Sequence, residues 1–116
     1  MFNRLKIKFF RGVLVPKGVN VFVVENPQYG GVFYTPTQAV LNGFSKFPTI
    51  CIEPGTSLQI FIHEVGHFIH WKYERESYGW NLGYDERYAD QLGAIYYRKV
   101  TRKNICMRNK QGNLFE

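Results

Sequence analysis

Leu58, Phe61, Ile62, Val65, Phe68 and Ile69 recur at i, i+3, i+4 and i+7 spacing and lay one apolar stripe along a helix. Thr56 with Gln59 three residues on reads as a capping box, and Pro54-Gly55 breaks the chain just ahead. Together these signals predict a helix over residues 56–73. A second helix is predicted over residues 86–100, a proline-free stretch of helical composition with Asp85 as its N-cap. Upstream the period changes to two. Leu5, Ile7 and Phe9 alternate with Lys6 and Lys8, and residues 19–24 are β-branched and almost wholly apolar. Residues 31–35 and 49–53 read as two further strands, the latter leading into the first helix. Residues 36–48 are ambiguous, with a helical turn over 37–41 ended by Asn42-Gly43. The pattern predicts one α+β domain over residues 1–116. A small twisted sheet packs on the stripe of the first helix, and the second helix closes the opposite side.

That opposite side carries chemistry. At 100° per residue, His63, His67 and His70 face away from the apolar stripe, with Gly66 among them, which suits a helix covered on both sides. His63-Glu64-Val65-Gly66-His67 is an H-E-x-x-H motif. Two histidines four residues apart sit one turn apart on one face, so both imidazoles reach one metal ion. Zinc accepts such neutral nitrogens, and a catalytic zinc needs one more protein ligand and a water. Glu64 lies off the histidine face, badly placed to ligate and well placed to take a proton from that water.

The second helix offers the remaining ligand. Glu86, Asp90, Gly93 and Tyr97 share one face, flanked by Ala89 and Ala94. Small residues let two helices approach closely, which would bring Glu86 toward His63 and His67. Asp90, one turn on, could accept the far N–H of a ligating histidine and hold its tautomer.

H-E-x-x-H followed about twenty residues later by E-x-x-x-D resembles the pattern of the gluzincin zinc metallopeptidases. The strings around 61–70 and 86–90 look most like compact members, the minigluzincins and the ImmA/IrrE-type domains of phages and mobile elements. The resemblance spans about residues 30–97 and is specific in the two helices. It implies a zincin-like domain with zinc held by His63, His67 and Glu86, Glu64 as general base and Asp90 supporting a ligand. It also implies an edge strand above the cleft that pairs with extended substrate, for which residues 49–53 are the candidate. A metzincin would place glycine and histidine where this chain has His70 and Tyr73. An aspzincin-like reading leaves Asp85 as a minor alternative to Glu86. His70 fits a packing or supporting role better than ligation. A donor for the developing oxyanion is open among Tyr73, Tyr78, Tyr84 and Tyr97.

Composition narrows the partners. The chain has 15 basic and 9 acidic residues, a net charge of +6, and 17% aromatic content, which suits a folded basic globule. Its cations gather at the two ends, Arg4, Lys6, Lys8, Arg11 and Lys17 at the start and Arg98, Lys99, Arg102, Lys103, Arg108 and Lys110 near the finish. Such charge attracts acidic proteins or nucleic acid, although no nucleic-acid-binding motif is present. No apolar run is long enough to span a membrane, and the N-terminus lacks the apolar region of a signal peptide. Cys51 and Cys106 form no paired framework, and Cys51 reads as buried. A reducing cytoplasmic setting is the simplest expectation. Only sixteen residues follow Val100, so the tail is expected either to lie across a shallow cleft or to leave it open. The expected activity is hydrolysis of peptide bonds in a specific protein substrate. The rival expectation is a catalytically silent, zinc-stabilised module that binds protein or nucleic acid.

Overall fold

The computed structural model describes residues 4–25, 30–74 and 82–110, with the side chains of the last helix described over 86–101. Along the chain lie β1 (Arg4–Ile7), β2 (Phe9–Phe10), β3 (Val13–Leu14), β4 (Asn20–Val24), β5 (Gly31–Tyr34), α1 (Pro36–Leu41), β6 (Thr49–Ile52), α2 (Leu58–Tyr73) and α3 (Leu82–Lys110). The result is an α+β fold with a small mixed sheet.

The sheet order is β1-β4-β6-β5, with β4 and β6 parallel and the two outer pairs antiparallel. All four residues of β6 are buried, as the almost unbroken apolar run Thr49-Ile50-Cys51-Ile52 requires of a strand covered on both faces. This corrects the expectation that residues 49–53 form the exposed edge. Among the described residues β5 pairs only with β6 and is the edge beside α2.

One face of the sheet meets the α2 stripe. Phe61, Val65 and Phe68 are buried against Val21, Phe33, Ile50 and Ile52, while Leu58, Ile62 and Ile69 cover the margins. Each large side chain so buried contributes roughly 1.5–3 kcal/mol. On the other face, burial pushes the Cys51 thiol up to about 12, so it stays protonated and unreactive.

Phe10 and Val13 enter the same core from a β2–β3 hairpin that the alternation of residues 5–9 concealed. Its two-residue turn has positive φ at both Arg11 (49°) and Gly12 (83°), the requirement of a type I′ turn. Arginine is a poor signal for that conformation. Here its Nε donates to the Thr56 carbonyl at 3.1 Å and its guanidinium lies 5.4 Å from the Phe10 ring.

Helix starts also depart from expectation. Ser57, not Thr56, caps α2, its hydroxyl accepting from the Ile60 N–H at 3.2 Å. The Thr56 hydroxyl instead accepts from the Glu53 N–H at 2.9 Å and donates to the Gly30 carbonyl, fastening the turn before α2 to the start of β5. A capping box does exist one helix earlier, between Thr35 and Gln38 at the start of α1. The end of α1 at Asn42-Gly43 follows the sequence reading. The second long helix begins at Leu82, so Asp85 lies inside its first turn and is not its N-cap. It also runs on past Val100 to Lys110.

The two long helices touch at backbone level. A Cβ placed on Gly66 would overlap the Ala89 carbonyl oxygen, and one on Gly93 would overlap the Ile62 carbonyl oxygen. Ala89 is fully buried in this contact, whereas Ala94, expected beside it, is exposed. Gly66→Ala should therefore destabilise the fold by about 3 kcal/mol in urea unfolding, despite alanine's better helix propensity. Gly55→Ala, where nothing lies within 4 Å, should stay within about 1 kcal/mol of zero.

Candidate metal centre

The close approach of α2 and α3 sets the polar cluster. His63 and His67 project from α2 with their Nε2 atoms 3.0 Å apart and their rings edge to face at 4.6 Å. Glu86 reaches in from α3 and divides its carboxylate between them, Oε2 at 2.8 Å from His63 Nε2 and Oε1 at 2.8 Å from His67 Nε2. The far nitrogen of His63, Nδ1, lies 2.6 Å from Asp90 Oδ1. With the Nδ1 proton held by Asp90, the Nε2 lone pair is left free to bind a cation. Burial alone would lower the His63 pKa, but the Asp90 hydrogen bond, together with the charges of Glu64, Glu86 and Asp90, raises it overall.

Among the described residues, His63, His67 and Glu86 form the group whose ligand atoms could share one ion, all lying within 4.8 Å of one another. Ligand atoms about 2.0–2.1 Å from a tetrahedral zinc stand about 3.3 Å apart. The observed 2.8–3.0 Å separations are that arrangement drawn inward by a few tenths of an ångström, so the donors fit the ion. The two-nitrogen, one-carboxylate set is also the chemistry zinc takes at a catalytic centre. The histidines are largely buried and the Glu86 side chain is 59% exposed, so the centre opens to solvent on the α3 side.

Glu64 is buried beside this group and is not part of it. Burial pushes its carboxyl up to about 7; His63 opposes the shift and Glu86 adds to it. A bound cation would draw it back down. Its neighbour across the sheet is Gly31 of the edge strand, where a Cβ would stand 3.4 Å from Glu64 Cγ and 3.0 Å from Ile60 Cγ2. A larger residue there would push β5 off the site.

His70 lies outside the ligand group. It is 2% exposed, its Nε2 is 3.0 Å from Glu74 Oε2, and its ring meets Tyr88 of α3 edge to face at 4.8 Å. It packs the helix pair one turn beyond the centre. Of the tyrosines, Tyr73 is exposed at the end of α2, six residues and about 9 Å along the axis past His67. Tyr97 packs against the hydrophobic core, seven residues and about 10 Å along α3 from Asp90. Tyr78 and the side chains of Tyr84, Asp85 and Cys106 lie outside what is described. The tail does not cross the site as far as it is described. A helix unbroken from Leu82 carries Lys110 about 30 Å along the axis from Asp90.

No protein-family model, curated protein or solved structure matches this chain. The site is therefore read from its own geometry.

The purified chain should bind one zinc, and chelation should lower its melting temperature because the ion joins two helices. His63→Ala or Glu86→Ala should remove most of the affinity. Asp90→Asn should cost about 10–100-fold by isothermal titration, since it changes only the hydrogen bond behind His63.

Proposed function

We propose that this chain is a zinc-dependent metallopeptidase of gluzincin type, with a zincin-like arrangement of sheet, H-E-x-x-H helix and closing helix. One observation carries the reading. Three ligand atoms from His63, His67 and Glu86 converge, and a fourth acid–base group, Glu64, is buried next to them without joining them. A structural zinc site closes its coordination with four protein ligands and has no use for such a carboxylate.

Zinc bound there would supply Lewis acidity, acidifying a water and polarising a peptide carbonyl. Each side chain then has a distinct task. His63 and His67 would hold the ion from α2, Glu86 would complete the set from α3, and Asp90, 2.6 Å from His63 Nδ1, would keep His63 in the ligating tautomer. Glu64 takes the proton from the attacking water and returns it to the leaving amine, base first and acid afterwards. Its buried position keeps bulk water from competing for that proton. An extended substrate finds its main-chain partner in β5, whose outer edge is unpaired among the described residues and whose Gly31 rests on Glu64. The open, solvent-facing side of Glu86 leaves room for the peptide. A shallow site of this kind suits a specific protein substrate rather than general digestion. No helix among the described residues is long and apolar enough to cross a membrane.

Glu64→Gln decides between peptidase and silent binding module. The amide keeps the side chain's size and removes the base, so zinc content and melting temperature should be unchanged while peptide hydrolysis falls by about 10²–10⁴-fold. A turnover rate equal to the parent's would refute the general-base role. Gly31→Val tests the edge strand. It should raise KM or abolish turnover while leaving one zinc per chain, because it lifts β5 without touching a ligand.

A further inference from the structure

The antiparallel α2–α3 pair also borders a second concavity. Along its flank, residues 68–73 of α2, residues 92–100 of α3 and the segment 9–17 that holds the β2–β3 hairpin line an open groove of about 930 Å³. Four of the chain's exposed large apolar side chains line it: Phe9 (61% exposed), Leu14 (46%), Tyr73 (75%) and Ile95 (45%). On α3, Leu92, Ile95, Tyr96 and Val100 continue at helical spacing as an apolar stripe facing the groove. Tyr96 also donates its hydroxyl to the Leu14 carbonyl, which pins the hairpin wall to α3.

We propose that this groove receives an acidic amphipathic helix from a partner protein. Shape and charge both select that occupant. Two helices side by side present a valley into which the side-chain ridge of a third helix fits, with anchors at i, i+3 or i+4, and i+7. A bilayer surface does not fill such a concavity. Lys17, Lys72 and Lys99 reach the groove from three separate segments, and among the described residues no acidic residue lines it. The nearest carboxylate on α2's own end, Glu74, is engaged with His70. Three cations spread around an apolar floor call for several carboxylates flanking an apolar face. A single long-chain carboxylate would neutralise only one of them. The site shares no side chain with the metal centre, so it stands whether or not the zinc reading does.

The test is fluorescence anisotropy with a labelled peptide of about five helical turns, leucines on one face and glutamates elsewhere. The chain and its Glu64→Gln variant should both bind it saturably, and affinity should fall with added salt. Reversing two rim charges (Lys72→Glu with Lys99→Glu) should weaken binding about tenfold or more. Ile95→Glu should do the same, with circular dichroism and the melting temperature reporting that it folds. Lys46→Glu, away from the groove, should change nothing. The proposal is overturned if a lysine counterpart of the peptide binds as tightly, or if the rim reversals leave affinity unchanged. It is equally overturned if the peptide fails while laurate or phosphatidylglycerol vesicles bind in a manner sensitive to the same variants. A dimer in sedimentation that Ile95→Glu dissociates would make a second copy the occupant. Peptide binding seen only after removal of residues 111–116 would assign the groove to the chain's own end.

Discussion

The contact on which this structure depends is the near-touching of two helix backbones, Gly66 against Ala89 and Gly93 against Ile62. Side chains of ordinary size would hold helix axes 8–10 Å apart. Glycine on each helix in turn removes the spacer, and the short carboxylate side chains of Glu86 and Asp90 can then reach imidazoles on the neighbouring helix. The polar cluster is thus a consequence of missing side chains elsewhere on the same faces. It also explains why α2 needs two buried faces: one meets the sheet through Phe61, Val65 and Phe68, the other meets α3 through Gly66.

Burying such a cluster is costly unless its charges are reconciled. Two imidazoles with two carboxylates behind and between them hold together only where protons separate the acceptors. His63 donates from Nδ1 to Asp90, and a proton on Nε2 of either histidine would be donated to the Glu86 carboxylate, 2.8 Å from both. A divalent cation would take the place of those Nε2 protons. Glu64, kept out of that set by one step along the helix, has a protonation equilibrium near neutrality in the absence of a cation. Helical geometry alone thus keeps Glu64 off the face that carries His63 and His67.

The same helix pair also borders the groove. Phe68, Ile69 and Tyr73 of α2 and Leu92, Ile95 and Tyr96 of α3 line it, and between these larger side chains and the hairpin apolar surface stays open.

Much of this was legible along the chain. The period of 3.6 residues in 58–69 located α2, and the four-residue spacing of His63 and His67 placed both rings on one side whatever the tertiary fold. Glu86 and Asp90 share a face for the same reason, and the buried Cys51 follows from its apolar run. These are local properties of a helix or strand, and local geometry decides them. Other features were not local. Ser57 and Thr56 are equally good caps in isolation, and Thr56 was drawn away by the Gly30 carbonyl from a distant segment. Arg11 gives no turn signal, because its left-handed conformation is supported by Thr56, forty-five residues on. Which strand is central also depends on partners: residues 49–53 and 31–35 both read as strands, and only pairing put β6 inside and Gly31 against Glu64. Periodicity assigns a side chain to a face, but what lies opposite that face is settled by contacts between segments far apart in the chain. For this reason the shared face of His63 and His67, and that of Glu86 and Asp90, could be read from the sequence, while their meeting, the edge strand, the hairpin and the groove required the tertiary structure.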